Sequence, residues 1–210
     1  MAKETRILLI GGFSNPNREY LGADNDPAQL SPSFNHALFQ AYHKGASDAG
    51  HHIETILCHQ LQFDPILRTS HAVKQPLEPD LVKAQSLIQN ATHLVWIYPT
   101  WWGGMPALLK GFVDRTFQQG FAYQMKNNSP LWDKLLKGKT AHIITTMTAP
   151  AWYYQWVNHD CGITMLRKMI LDFSGVGPQK ITRIGGMNRL NPLQRGAWLS
   201  QIEEMGRQGR

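Results

Sequence analysis

Trp96-Ile97-Tyr98-Pro99-Thr100-Trp101-Trp102-Gly103-Gly104-Met105-Pro106 is the stretch on which the fold turns. It closes an apolar run, Thr92 to Tyr98, that reads as a strand and stops at Pro99. Two adjacent tryptophans and two adjacent glycines follow. A helical pattern then runs from Pro106 to Gln118, with the proline near the first turn, where a missing N–H costs little. A strand-ending loop with two large aromatics offers a surface to something flat, and the glycines let the backbone approach it closely. The stretch predicts a strand, a ligand-holding loop and a helix, in that order.

The same alternation extends in both directions. Upstream, Arg6–Ile10 is a buried-strand run ending at Gly11-Gly12, and Phe13–Pro32 reads as a long polar loop. Ser33 is the candidate N-cap of a helix from Phe34 to Ala49, closed by Gly50. Ile53–Cys58 is a second strand, His59–Pro79 an irregular excursion and Leu81–Gln89 a helix. Downstream, a polar segment from Gly120 to Lys139 leads to a strand at Ala141–Thr146 and the unusual run Met147–His159. A helix at Cys161–Phe173, a strand at Gln179–Ile184 and a helix at Leu193–Met205 complete the pattern. Five strands alternating with helices predict an α/β doubly wound parallel sheet, order 2-1-3-4-5, with helices on both faces. At 210 residues, one domain spanning the chain is expected.

Composition excludes several functions. The chain is 42% apolar and 17% charged, an ordinary globular balance, with no apolar run near the ~20 residues of a membrane span. Residues Met1–Arg6 lead into the first strand without a signal peptide's apolar region, so a cytoplasmic location is expected. Cys58 and Cys161 form no disulfide framework, and no histidine has partners at metal spacing. There is no nucleophile elbow and no Walker loop. The net charge of +6 is dispersed and carries no nucleic-acid motif; it suits phosphorylated ligands instead.

In the expected strand order, ligands bind at the carboxyl edge where the first and third strands part. Three segments converge there. Ser33-Phe34-Asn35 supplies a helix N-terminus able to take a phosphate, or a plain N-cap. Thr100–Gly103 suits a planar ring such as an isoalloxazine, with backbone N–H groups at its edge and Trp101 or Trp102 on a face; packing of the tryptophans at a subunit interface is the alternative. In Thr145–Asp160, a tyrosine or histidine could donate a proton where charge grows on a reduced ring, or the aromatics could simply pack.

The run from Tyr98 to Tyr123, YPTWWGGMPALLKGFVDRTFQQGFAY, with SFN at Ser33–Asn35 and ITRIGG at Ile181–Gly186, resembles the flavodoxin-like NAD(P)H:quinone oxidoreductases. That family includes the DT-diaphorase and modulator-of-drug-activity types. The resemblance implies a homodimer with flavin sites at its interface. It implies FAD or FMN, with NADH or NADPH as donor and a quinone as acceptor, in two-electron ping-pong transfer. It assigns Ser33, Phe34 and Asn35 to the flavin phosphate. Pro99, Thr100, Trp101, Trp102 and Gly103 go to the ring, and Thr146, Met147 and Thr148 to its pyrimidine edge. Tyr153 and His159 take the proton-relay positions. Two features depart from the pattern: the stretched Phe13–Pro32 loop, with no histidine before His36, and the bulkier turn Met147-Thr148-Ala149-Pro150. A regulatory flavin-binding partner of a membrane transporter is the alternative function; no nucleic-acid partner and no membrane insertion are expected.

Overall fold

Five parallel strands form the centre of the computed structural model, which describes residues 5–14, 33–69 and 75–209. In chain order the strands are β1 (Arg6–Gly11), β2 (His52–Leu57), β3 (His93–Pro99), β4 (Tyr123–Met125), β5 (Trp132–Lys134), β6 (Thr140–Thr146) and β7 (Gln179–Ile184). The sheet runs β2-β1-β3-β6-β7, while β4 and β5 pair antiparallel apart from it. The expected order 2-1-3-4-5 assumed five strands; the hairpin adds two inside the segment read as polar. Each hairpin strand is three residues long, too short for alternation to show.

The helices are α1 (Phe34–Asp48), α2 (Pro79–Asn90), α3 (Ala107–Thr116), α4 (Ala151–Trp156), α5 (Cys161–Thr164) and α6 (Pro192–Arg207). Alternation along the strands sorts them into two layers. Leu8, Ile10, Leu94, Trp96, Tyr98 and Ile143 face α2, α3 and α5, whereas Ile7, Leu9, Val95, Ile97 and Ile144 face α1 and α6. The latter two helices approach so closely that a methyl on Gly45 would strike the Glu203 carbonyl, and one on Gly206 the Tyr42 carbonyl.

Three local features differ from expectation. The helix expected over Cys161–Phe173 is α-helical only to Thr164 and widens to a π-helix from Met165 to Asp172. The run after β6 contains a short helix, α4, entered at Pro150. Ser33 stands at the N-cap of α1 but makes no side-chain cap bond among the described residues. Residues 15–32, most of the expected long loop, lie outside the described residues, as does His71.

The excursion before α2 is organised by one buried cation. Arg115 of α3 donates to the carbonyls of Asp64 and Pro76 and to both Glu78 carboxylate oxygens, at 2.8 Å to the nearer. No helix among the described residues is long and apolar enough to cross a membrane.

Candidate functional site

Beyond the end of β3, Trp101 and Gly104 exchange two backbone hydrogen bonds of 2.9 Å, closing a two-residue turn. Its central residues, Trp102 and Gly103, both have positive φ, 49° and 76°. That is the backbone of a type I′ turn. Glycine adopts it freely; for a tryptophan the left-handed region costs about 1–2 kcal/mol. The strained turn holds Trp102 wholly in solvent and Trp101 half exposed. The N–H groups of Trp102 and Gly103 have no partner among the described residues.

The turn is clamped from one side. The Tyr154 hydroxyl donates to the Gly103 carbonyl at 2.8 Å and accepts the Gly162 N–H at 3.0 Å. The Cys161 thiol reaches the same carbonyl at 3.2 Å, and a methyl at Gly162 would collide with it. Burial is the main cause that pushes the Tyr154 phenol up to about 12, keeping it neutral and able to donate. Beneath the turn the Tyr98 hydroxyl is buried without a hydrogen-bond partner among the described residues, and burial raises its pKa too.

Threonines join the three converging segments. Thr100 N–H donates to the Thr146 carbonyl at 2.7 Å, and the Thr100 and Thr145 hydroxyls are 2.7 Å apart. Thr146 Oγ1 donates to Asn35 Oδ1 at 3.1 Å. Asn35, Thr100 and Thr146 therefore meet, tying the start of α1 to the ends of β3 and β6. At the start of α1 the first N–H groups point outward without intrahelical acceptors, leaving partial positive charge. The Arg195 guanidinium lies 5.2 Å over the Phe34 ring there.

Other expected residues fall differently. The side chain of Met147 is buried in the core and its N–H is spent on the Ile184 carbonyl, so Thr148 is the exposed residue of that edge. Tyr153 is 41% exposed, in α4. His159 is exposed, with positive φ of 52°, just before Asp160 at 50°. No side-chain hydrogen bond joins Tyr153 to His159 among the described residues. Asp160 pairs with Arg183 of β7 through two contacts, which anchors the turn carrying His159.

Sequence reasoning missed Tyr154, Cys161 and Gly162. Adjacent tyrosines on a short helix give no cue to which one turns inward; only the Cys161-Gly162 pair before an apolar helix hinted at close packing. It also passed over His36 and His59, which flank the Phe13 ring near the start of α1, at 5.9 and 6.1 Å between ring centroids. His59 bonds the Phe13 carbonyl, and burial lowers its pKa.

The model of the flavodoxin-like fold matches residues 23–205. The chain belongs to the flavodoxin-like fold family. Among solved structures, Smu.1420 from Streptococcus mutans is similar over 96% of this chain and 98% of its own, with a TM-score of 0.76 and 30% identity. The rat NAD(P)H dehydrogenase [quinone] 1 is 26% identical over 182 residues, 73% of this chain and 65% of the relative. An uncharacterized NAD(P)H oxidoreductase of Haemophilus influenzae is 34% identical over 84 residues, 39% of this chain and 41% of the relative. The chain spans 40–65% of the length of the curated relatives it matches first. An FMN-dependent NADH-azoreductase from Bacillus anthracis shares the fold, with a TM-score of 0.68 at 19% identity.

Proposed function

We propose that the protein is a flavin-dependent NAD(P)H:quinone oxidoreductase that transfers two electrons as hydride in a ping-pong cycle. The observation that carries this reading is the threonine–asparagine lock, which puts a helix N-terminus and a turn with unpaired amides side by side. The residues fit a flavin. A planar ring with a row of acceptors along one edge matches the free N–H groups of Trp102 and Gly103, and a phosphate matches the start of α1. Added bulk at Gly104 would meet nothing nearer than 3.9 Å, so the turn has open space beside it.

A bound flavin supplies hydride acceptance and donation at its ring. The chain's own residues do the rest. Trp101 and Trp102 cover a ring face and exclude water, while the turn's amides fix the ring edge. Tyr153 and His159 hold or deliver a proton at the pyrimidine edge, where negative charge grows on reduction. Donor and quinone occupy the same exposed face in succession, which makes the cycle ping-pong. Trp102, Trp152 and Trp156 stand in solvent on neighbouring segments, and this supports a second copy of the chain covering them in a homodimer.

The test is to purify the protein, release any chromophore and record its absorbance and mass, then assay NADH and NADPH with a soluble quinone. Flavin at one per chain and quinone-dependent oxidation are expected. A colourless protein that takes up neither FAD nor FMN on reconstitution overturns the proposal. Light scattering tests the dimer separately.

A further inference from the structure

A cavity of about 440 Å³ opens beside the candidate flavin site, between the start of α4 and the turn after β7. That volume falls in the range of small-molecule sites. Its lining includes Thr148, Pro150, Arg183, Asn188, Arg189 and Trp198. Thr148 belongs also to the edge assigned to the flavin pyrimidine, so the cavity begins where the ring site ends.

The two arginines are not equivalent. Arg183 is already neutralised by Asp160. Arg189 has no carboxylate partner among the described residues and stands exposed at the rim. Its backbone is nonetheless held. Arg189 N–H donates to the Gly186 carbonyl at 2.8 Å, with Gly186 at a φ of 67°, and Arg195 braces the turn through the Met187 and Leu190 carbonyls at 3.0 and 3.3 Å. A rigid turn thus presents one uncommitted guanidinium beside an indole, an amide and a hydroxyl. A guanidinium matches a phosphate monoester by paired hydrogen bonds, and an indole face takes a flat heterocycle.

We infer that this cavity is the subsite for the phosphorylated adenosine end of the hydride donor, with Arg189 on the 2′-phosphate, Trp198 against the adenine, and NADPH preferred to NADH. The inference rests on the proposed reductase function for its biological ligand, but the cavity can be tested without it. The sequence hid this because Arg189 and Trp198 lie nine positions apart, with no motif linking them to Thr148.

The experiment titrates the purified full chain, loaded with whatever flavin it retains, with 2′,5′-ADP by calorimetry, using adenosine as the uncharged control. Wild type should bind 2′,5′-ADP, R189A should bind it at least tenfold more weakly, and R189K should fall between the two, keeping the charge but not the paired hydrogen bonds. Adenosine affinity should be the same in all three. In turnover, R189A should raise the KM for NADPH and leave the KM for NADH and the flavin content unchanged. Equal binding of 2′,5′-ADP by wild type and R189A, no binding at all, or loss of NADH and NADPH in parallel overturns the subsite. A flavin-loaded, NADH-active protein that ignores 2′,5′-ADP loses only this inference. A protein without flavin loses the function proposed above, while the titration still reports on the cavity.

Discussion

Tyr153 and Tyr154 are chemically identical neighbours with separate fates. One helical step of ~100° turns Tyr154 inward to 2% exposure and leaves Tyr153 in solvent. Tyr154→Phe keeps the ring but strands the Gly162 N–H and leaves the Gly103 carbonyl with only the weak Cys161 thiol donor, at a cost of about 1–3 kcal/mol for a buried polar group left unpaired. Denaturant titration should show that loss, together with weaker flavin retention; unchanged stability would mean the Cys161 thiol or water replaces the phenol. Gly162→Ala should release the same turn by collision rather than by a lost bond. His159→Ala, at an exposed position, should leave the fold and the flavin intact and slow flavin reduction by about 10²–10⁴-fold, the span of acid–base contributions. Stopped-flow rates equal to wild type would take His159 out of the reaction.

At the scale of elements, the sequence showed most where burial is two-sided. The runs Arg6–Ile10 and Thr92–Tyr98 announced themselves because nearly every residue is apolar, and each observed strand falls within a residue of its expected bounds. The hairpin of β4 and β5 stayed hidden because its pairing is set across the turn, Tyr123 opposite Lys134, and not by any local period. The π-helix stayed hidden too: its buried residues, Leu166 and Leu171, stand five apart, and one such interval within eight residues is too little to set a period of its own. In the candidate site, Asn35, Thr100 and Thr146 were legible as types expected near phosphate and ring. That Thr100 bonds Thr146 follows from sheet register, with Pro99 opposite Thr146, and that Asn35 joins them follows from where α1 begins over the sheet. The crossing of α1 and α6 was likewise invisible, because Gly45 sits inside a helix where glycine looks like a mere weakness. Gly45→Ala should therefore destabilise despite its better helix propensity. Overpacking of about 1–3 kcal/mol, at roughly 2–4 °C per kcal/mol for a chain this size, should show as a lower melting temperature. A melting temperature equal to or above wild type would mean the helices part without cost.

At the scale of the whole molecule, one buried imidazole makes the fold sensitive to acid. Burial pushes His93 down to about 4, aided by the nearby charges of His142, Lys180 and His51. Its Nδ1 lies 2.7 Å from the Thr140 hydroxyl at the start of β6. The unfolded chain takes up this proton near pH 6.5 and the folded chain only near 4, so stability is complete above about 6.5 and falls as the pH drops between the two. The loss attributable to this one group is on the order of 3 kcal/mol. Urea titrations from pH 7.5 to 4.5 should follow that slope, and His93→Asn should flatten it; an unchanged slope in the variant would assign the acid sensitivity elsewhere. The strained turn at Trp102 acts on the whole molecule from the other side. A laboratory selection for heat resistance alone would favour glycine at position 102, since it relieves an unfavourable backbone at no packing loss. Such a lineage would drift toward a hardier chain whose turn lacks its solvent-facing indole, so on the function proposed above ruggedness and redox competence compete at a single codon.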